Sequence, residues 1–463
     1  MLPKYINREK ELEFLEKIYS EKGFNLVVLY GRRRVGKTEL IKKFTENKIS
    51  IYLLATDESY EENLKSLKQK FAEFTKKEYF MKLETKSLYD IFKFFSDEIK
   101  NKKCVIAIDE FPYLMQTKKG ILSLFQKIID EILVKTNIIL ILCGSSMSVI
   151  ESDVLGKGTP LYGRNLNIWK LLPFSFKDFA KYFKNPFEVC FVFGNVPYYL
   201  KFYNDKKSLM ENIKENLLIK GRNLYDEPLI LLKQEFRESR VYRLILKYIS
   251  LGYKTVGKLC SATGMDKSNL TKYLSSLEEV GLVKHVLPFG MKRKGVYEIN
   301  DPLFRFWFRF IYPYRDYLEV GKIGIVEDII SKQLDEHFGL CFECLVEDML
   351  KQKIISELEK FGLVSKWWHK DKEIDIVALN EKTKEILFGE CKWKNKVNAE
   401  KICKELAEKA KYVEWNNEDR KESFAIFAKS FGKRIKEFEG KKVYCFDLKD
   451  LEKIMKYKKD YFS

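Results

Sequence analysis

Gly31-Arg32-Arg33-Arg34-Val35-Gly36-Lys37-Thr38 restricts the fold more than any other stretch of the chain. It satisfies the G-x-x-x-x-G-K-[ST] phosphate-loop pattern, and its flanks suit it: Asn25–Tyr30 reads as a short buried strand and residues 39–46 as the opening of a helix. The unpaired N–H groups and positive dipole end of such a helix converge on an anion. Gly31 and Gly36 let the backbone wrap the phosphates, with Arg32, Arg33, Arg34 and Val35 completing the loop. Lys37 is placed to reach the β and γ phosphates, and the Thr38 hydroxyl to ligate magnesium. A strand-turn-helix matching the pattern by chance is the bland alternative.

The apolar run 104–108 ends in Asp109-Glu110, the arrangement of a buried parallel strand with carboxylates at its C-terminal edge. Asp109 is expected in the magnesium shell, and Glu110 beside the attacking water as a catalytic group. Residues 51–54 and 137–143 read as further strands. The latter emerges at Gly144-Ser145-Ser146, where Ser145 lies near the γ phosphate or else caps the next helix. Arg164, in the turn Pro160-Leu161-Tyr162-Gly163-Arg164, reads either as a guanidinium offered to the transition state by a neighbouring subunit or closing segment, or as a surface ion pair. Leu12, Leu15 and Ile18 mark an amphipathic first helix that Asn7 could cap.

At 463 residues the chain exceeds what one core usually serves, so two or three domains are expected. No span is long and apolar enough for a bilayer, and residues 1–12 carry charges where a signal peptide would be apolar, so the expected location is the cytoplasm. Nine cysteines without regular spacing suggest reduced thiols; the single C-x-x-C, Cys341 to Cys344, reads as core packing in a helix. The formal net charge of +18 favours polyanion partners.

Residues 241–251, 255–263 and 268–280 read as three helices followed by a β-hairpin, a winged helix-turn-helix outline. Residues 241–300 hold ten Lys or Arg against four Asp or Glu, and Lys292-Arg293-Lys294 sits at the hairpin tip, which suits phosphate contact. Such domains also serve as protein lids. The aromatic run 304–310 reads as a packed helix. Farther on, the alternation in 372–378 sets Asp375 opposite Ile374 and Ile376, and the returning strand holds Glu390 and Lys392 on one face. With Glu343 on a preceding helix, this constellation looks like the PD-(D/E)XK nuclease core. That likeness implies a divalent metal on Glu343, Asp375 and Glu390, with Lys392 acting on the nucleophile or on developing charge. Surface carboxylates paired with a lysine are the alternative.

The chain resembles the archaeal ATPase family of P-loop proteins, related to AAA+ and STAND NTPases. The resemblance rests on Asn7-Arg8-Glu9, the phosphate loop, Ile108-Asp109-Glu110-Phe111-Pro112, Gly144-Ser145-Ser146, Leu161-Tyr162-Gly163-Arg164 and Gly194-Asn195-Val196-Pro197-Tyr198-Tyr199-Leu200. It implies an α/β architecture: a P-loop parallel sheet flanked by helices, a helical lid and winged helix, and an α/β restriction-nuclease-like domain. The expected bounds are 1–170, 171–235, 236–320 and 321–463. ATP and Mg2+ are the expected cofactors, Arg164 becomes a candidate arginine finger, and Asn195 departs from the paired glycines of relatives. Nucleic acid, with DNA favoured, and a second copy of the chain are the expected partners, with no membrane. A switch that holds ATP without turnover is the rival reading.

Overall fold

The computed structural model describes residues 7–457 apart from 86, 100, 101, 292 and 294. Lys292 and Lys294 of the hairpin tip therefore lie outside the described residues. The chain divides into two compact units. One runs to Pro173 and includes Val196–Tyr198; the other holds Phe174–Asn195 and the chain from Tyr199 onward. Among the described residues no helix is long and apolar enough to cross a membrane.

The first unit is a five-stranded parallel sheet. Its strands are β1 (Asn25–Tyr30), β2 (Ser50–Leu54), β3 (Cys104–Asp109), β4 (Ile138–Gly144) and β5 (Leu166–Lys170), in the order β2-β3-β4-β1-β5. Every residue of β1, β3 and β4 is buried, because helices cover both faces of the sheet. The segment between β2 and β3 forms the helices Tyr60–Thr75, Tyr79–Lys82 and Leu88–Ile99. Four of its phenylalanines form core: Phe71 stacks on Phe95 at 4.0 Å and meets Phe80 and Phe92 edge-on. Strand β5, which the sequence does not announce, is half exposed at the sheet edge and lacks the apolar run of a central strand. Asn7 is not the cap of the first helix, Glu9–Ser20: the cap position is Arg8, with left-handed φ of 83° and no side-chain cap bond.

In the second unit the helices Ser239–Ser250, Val256–Thr263 and Lys267–Glu279 precede the hairpin of β6 (Val283–Val286) and β7 (Val296–Ile299), a winged helix. Thr255 and Asp266 cap the second and third helices, and Gly264, at φ 71°, ends the second. The aromatic run is a buried helix, Pro302–Phe310, in which the Trp307 indole N–H donates to Tyr225 O at 2.8 Å.

The C-terminal sheet is mixed. It contains β8 (Leu363–His369), β9 (Lys372–Asn380), β10 (Glu385–Lys392), β12 (Lys421–Ala428), β14 (Glu437–Phe438) and β15 (Lys441–Asp447), in the order β14-β15-β12-β10-β9-β8. The short strands β11 (Val397–Asn398) and β13 (Phe431–Lys433) pair separately. The helix Ile323–Lys351 packs on β8 and β10, and the helix Ala399–Ala410 on β9, β10 and β12. Gly389 faces Ile376 in the register of β9 and β10; a Cβ there would stand 2.9 Å from that of Ile376, so the pairing requires glycine.

Candidate nucleotide site

The phosphate loop leaves the C-terminal end of β1 and closes on the helix Lys37–Thr45. A Cβ on Gly31 would lie 2.2 Å from Leu171 O, so only glycine admits the segment that follows β5. Gly36 takes φ 95°, and Arg34, less usually for a side-chain-bearing residue, 74°. The Lys37 ammonium is buried and donates to Gly31 O at 2.8 Å and Arg32 O at 3.1 Å. The Arg8 guanidinium donates to Val35 O at 3.0 Å and Leu172 O at 2.8 Å and pairs with Glu11, fastening the first helix to the loop.

Asp109 is the hub of the polar cluster. Its Oδ2 accepts from Thr38 Oγ1 at 2.6 Å and from the Tyr52 hydroxyl at 2.7 Å, and its Oδ1 accepts from the Glu110 N–H at 2.9 Å. Burial acts to raise the Asp109 carboxyl, but hydrogen bonds from Thr38, Cys143, Tyr52 and Glu110 outweigh it and hold the group below its ordinary range. Burial, then the hydrogen bond and charge of Asp109, raise Tyr52, which stays a phenol and a donor.

Glu110 adopts left-handed φ of 52° at the start of the helix Phe111–Thr117. Its Oε2 accepts from Ser145 Oγ at 2.8 Å, and its Oε1 lies 3.8 Å from an Arg33 nitrogen. Ser145 thus reaches the carboxylate, while the cap position of the next helix belongs to Ser146, which makes no side-chain cap bond.

Arg164 lies elsewhere. It forms a two-point ion pair with Asp130, at 2.7 and 3.0 Å, and donates to Pro160 O. It precedes Leu166, which pairs with Leu26 at the start of β1, whereas the loop follows Tyr30, which pairs with Lys170. That is the opposite end of the strands, about 13 Å away. In this arrangement Arg164 does not reach the loop of its own chain.

Comparison with known proteins shows the family. A family described as an ATPase domain predominantly from Archaea matches residues 5–202. An uncharacterised protein of Methanocaldococcus jannaschii is 33% identical over 460 residues, covering 96% of this chain and 99% of its own. The chain belongs to this archaeal P-loop ATPase family. An uncharacterised ATP-binding protein of the same organism is 66% identical over 44 residues, 10% of this ATPase and 75% of its own length. Residues 242–285 match bacterial regulatory proteins of the ArsR family, and residues 307–402 a family of archaeal and bacterial proteins of unknown function. Among solved structures, the Walker-type ATPase of Pyrococcus abyssi is 21% identical, covering 66% of this chain and 96% of its own with a TM-score of 0.49. The ORC2 protein of Aeropyrum pernix is 15% identical, covering 72% and 97% with a TM-score of 0.46.

In the C-terminal domain of this ATPase the residues singled out from sequence are neighbours. Asp375 Oδ2 accepts from the Cys391 N–H at 2.8 Å; Glu390 pairs with Lys392 at 2.6 Å and Lys409 at 3.2 Å; Glu343 pairs with Lys366 at 2.7 Å. Burial, then the charges of Glu343 and Glu390, push Asp375 up to about 8. Among the described residues no three acidic, histidine or cysteine side chains are gathered as a metal site, and here Glu343 and Glu390 pair with lysines instead. Sequence reasoning missed Tyr52 and Cys143 at Asp109, Tyr113 at Arg33, the buried Lys366 and the half-buried Lys409. No motif spacing could have found them, since each arrives from a separate element.

Proposed function

We propose that this ATPase hydrolyses Mg-ATP at its phosphate loop in the cytoplasm and uses nucleotide state to control how its winged helix and C-terminal domain hold nucleic acid, DNA in preference. The observation that carries the hydrolytic reading is the convergence of Thr38 Oγ1 and Tyr52 on one Asp109 oxygen, with Glu110 the next residue, at the turn that follows the strand. Hydroxyl and ionised carboxylate are hard oxygen donors that suit magnesium, so Thr38 and Asp109 would hold the ion, which neutralises phosphate charge when bound. Lys37 and the loop N–H groups bind and orient the β and γ phosphates. Glu110, steadied by Ser145, orients water and takes its proton.

The nucleic-acid part rests on the winged helix. Lys267, Ser268, Asn269, Thr271, Lys272 and Ser275 form an exposed polar face on its third helix, and Arg293 is exposed in the hairpin loop. The test is multiple-turnover phosphate release with and without magnesium and with and without duplex DNA. Continuous magnesium-dependent turnover that DNA alters is the expected result; a single turnover that DNA leaves unchanged would make the protein an ATP-holding switch.

For the C-terminal domain one observation favours binding over cleavage: both Glu343 and Glu390 are already neutralised by lysines. In this reading Lys392 contacts a phosphodiester, and the nuclease-like core is a binding surface. Arg164, if it acts on nucleotide, does so on the loop of a second copy of the chain.

A further inference from the structure

The three consecutive loop arginines take three different courses. Arg32 is buried and its carbonyl accepts from Lys37. Arg34, at φ 74°, turns its guanidinium over the Tyr198 ring, 4.3 Å from the centroid. Arg33 extends toward the end of β3. One of its terminal nitrogens lies 3.8 Å from Glu110 Oε1, and the other donates to the Tyr113 hydroxyl at 3.0 Å. Tyr113 is tied to the same place, its N–H donating to Glu110 O at 2.9 Å.

We propose that Arg33 is a catalytic residue: from the phosphate loop of the same chain it supplies the cation that neutralises charge growing on the transferred phosphoryl group. The inference rests on the hydrolytic reading above. Glu110 must face the water that attacks the γ phosphorus, so a guanidinium against the Glu110 carboxylate and rooted two residues past Gly31 stands on the γ side of the loop. Arginine suits this post because it keeps its charge at any working pH and offers a planar fork of donors to phosphate oxygens. In the step, the water oxygen bonds to the γ phosphorus and one water proton passes to Glu110. The bond to the β–γ bridging oxygen breaks, its electron pair leaving with ADP. Arg33 exchanges no proton; it shifts from the Glu110 carboxylate to the equatorial phosphoryl oxygens. Arg164 is paired with Asp130 at the opposite end of the strands, away from this position.

The experiment uses the full chain with Arg33→Gln and Arg33→Lys, and reads fluorescent-ATP affinity, steady-state phosphate release, and capture of ADP with aluminium fluoride. Arg33→Gln should keep ATP affinity within about threefold, lose about 100-fold or more in turnover and fail to capture the ADP–fluoride complex, while Arg33→Lys recovers part of each loss. Turnover within about threefold of wild type, with capture intact, overturns the proposal. So does faster turnover, which would make Arg33 a restraint on Glu110, or a loss explained wholly by weaker ATP binding. If wild type itself does not turn over ATP, the hydrolytic reading fails first, and the inference with it.

Discussion

Asp109 and Asp375 occupy similar ground and are held in opposite states. Each is buried on a strand of a sheet covered by helices, and each was singled out by a motif of carboxylates around an apolar run. Asp109 receives Thr38, Cys143, Tyr52 and a backbone N–H, and is kept ionised. Asp375 receives one N–H and faces Glu343 and Glu390, so burial and like charge keep it neutral up to about 8. Motif chemistry therefore does not set protonation; the count of donors against like charges does. The first cluster presents a hydroxyl and an ionised carboxylate side by side. In the second, Glu343 and Glu390 are paired with lysines.

The largest expected effect contrasts the two clusters directly. Lys37→Ala should abolish useful ATP affinity, and Glu110→Gln should retain it while losing about 100- to 1,000-fold in turnover, since Glu110 acts only on water. Alanine at Glu343, Asp375, Glu390 or Lys392 should leave magnesium-ATP turnover within about twofold. Phosphate release and fluorescent-ATP titration on the same preparations check both halves. Equal hydrolysis by wild type and Glu110→Gln would remove Glu110 from the mechanism.

Next in size is the lysine-paired cluster itself. Wild type should cut neither DNA nor RNA across magnesium and manganese titrations, and Lys392→Ala should weaken nucleic-acid binding by up to about tenfold at low salt. Cleavage that disappears with Asp375→Ala and Glu390→Ala would break the contrast by making both clusters metal sites.

The sequence made the first cluster legible because phosphate binding uses contiguous residues. Residues 31–38 are one loop, Asp109-Glu110 end one strand, and their central strands are unbroken apolar runs. Edge strand β5 escaped because it alternates weakly and faces water on one side. Tyr52 and Cys143 escaped because they reach Asp109 across neighbouring strands, a matter of register that no local pattern encodes. In the C-terminal domain the pattern placed Asp375, Glu390 and Lys392 together. It was silent on Lys366 and Lys409, which arrive from β8 and from the helix Ala399–Ala410 and decide the charge balance.

Smaller still is a pH effect on stability. Asp375 moves from an ordinary 3.8 to about 8 on folding. Because the folded value is raised, its favourable contribution is complete below the ordinary value and is lost as pH rises through about 8. Asp375→Asn, which mimics the neutral acid, should flatten that fall and gain roughly 1–3 kcal/mol over wild type at the alkaline end. Denaturant melts across the window check it, and parallel curves for the two proteins would mean that Asp375 ionises freely in the folded state.

The smallest effect tests the donor count from the other side. Tyr52→Phe keeps the ring and removes one of the donors that hold Asp109 ionised, leaving Thr38, Cys143 and the Glu110 N–H. A hydrogen bond to a charged group is worth about 1.5–3 kcal/mol, and part of that returns as the remaining donors tighten, so the net loss should be near 1 kcal/mol. The magnesium concentration needed for half-maximal turnover should then rise roughly fivefold. ATP affinity measured with the metal chelated should stay unchanged, since Tyr52 contacts the carboxylate and not the loop. Asp109 should also move up toward its ordinary range, so the defect should deepen as pH falls toward that range. An unchanged magnesium requirement would reduce Tyr52 to packing, and an equal loss of metal-free ATP affinity would transfer its role from Asp109 to the phosphate loop.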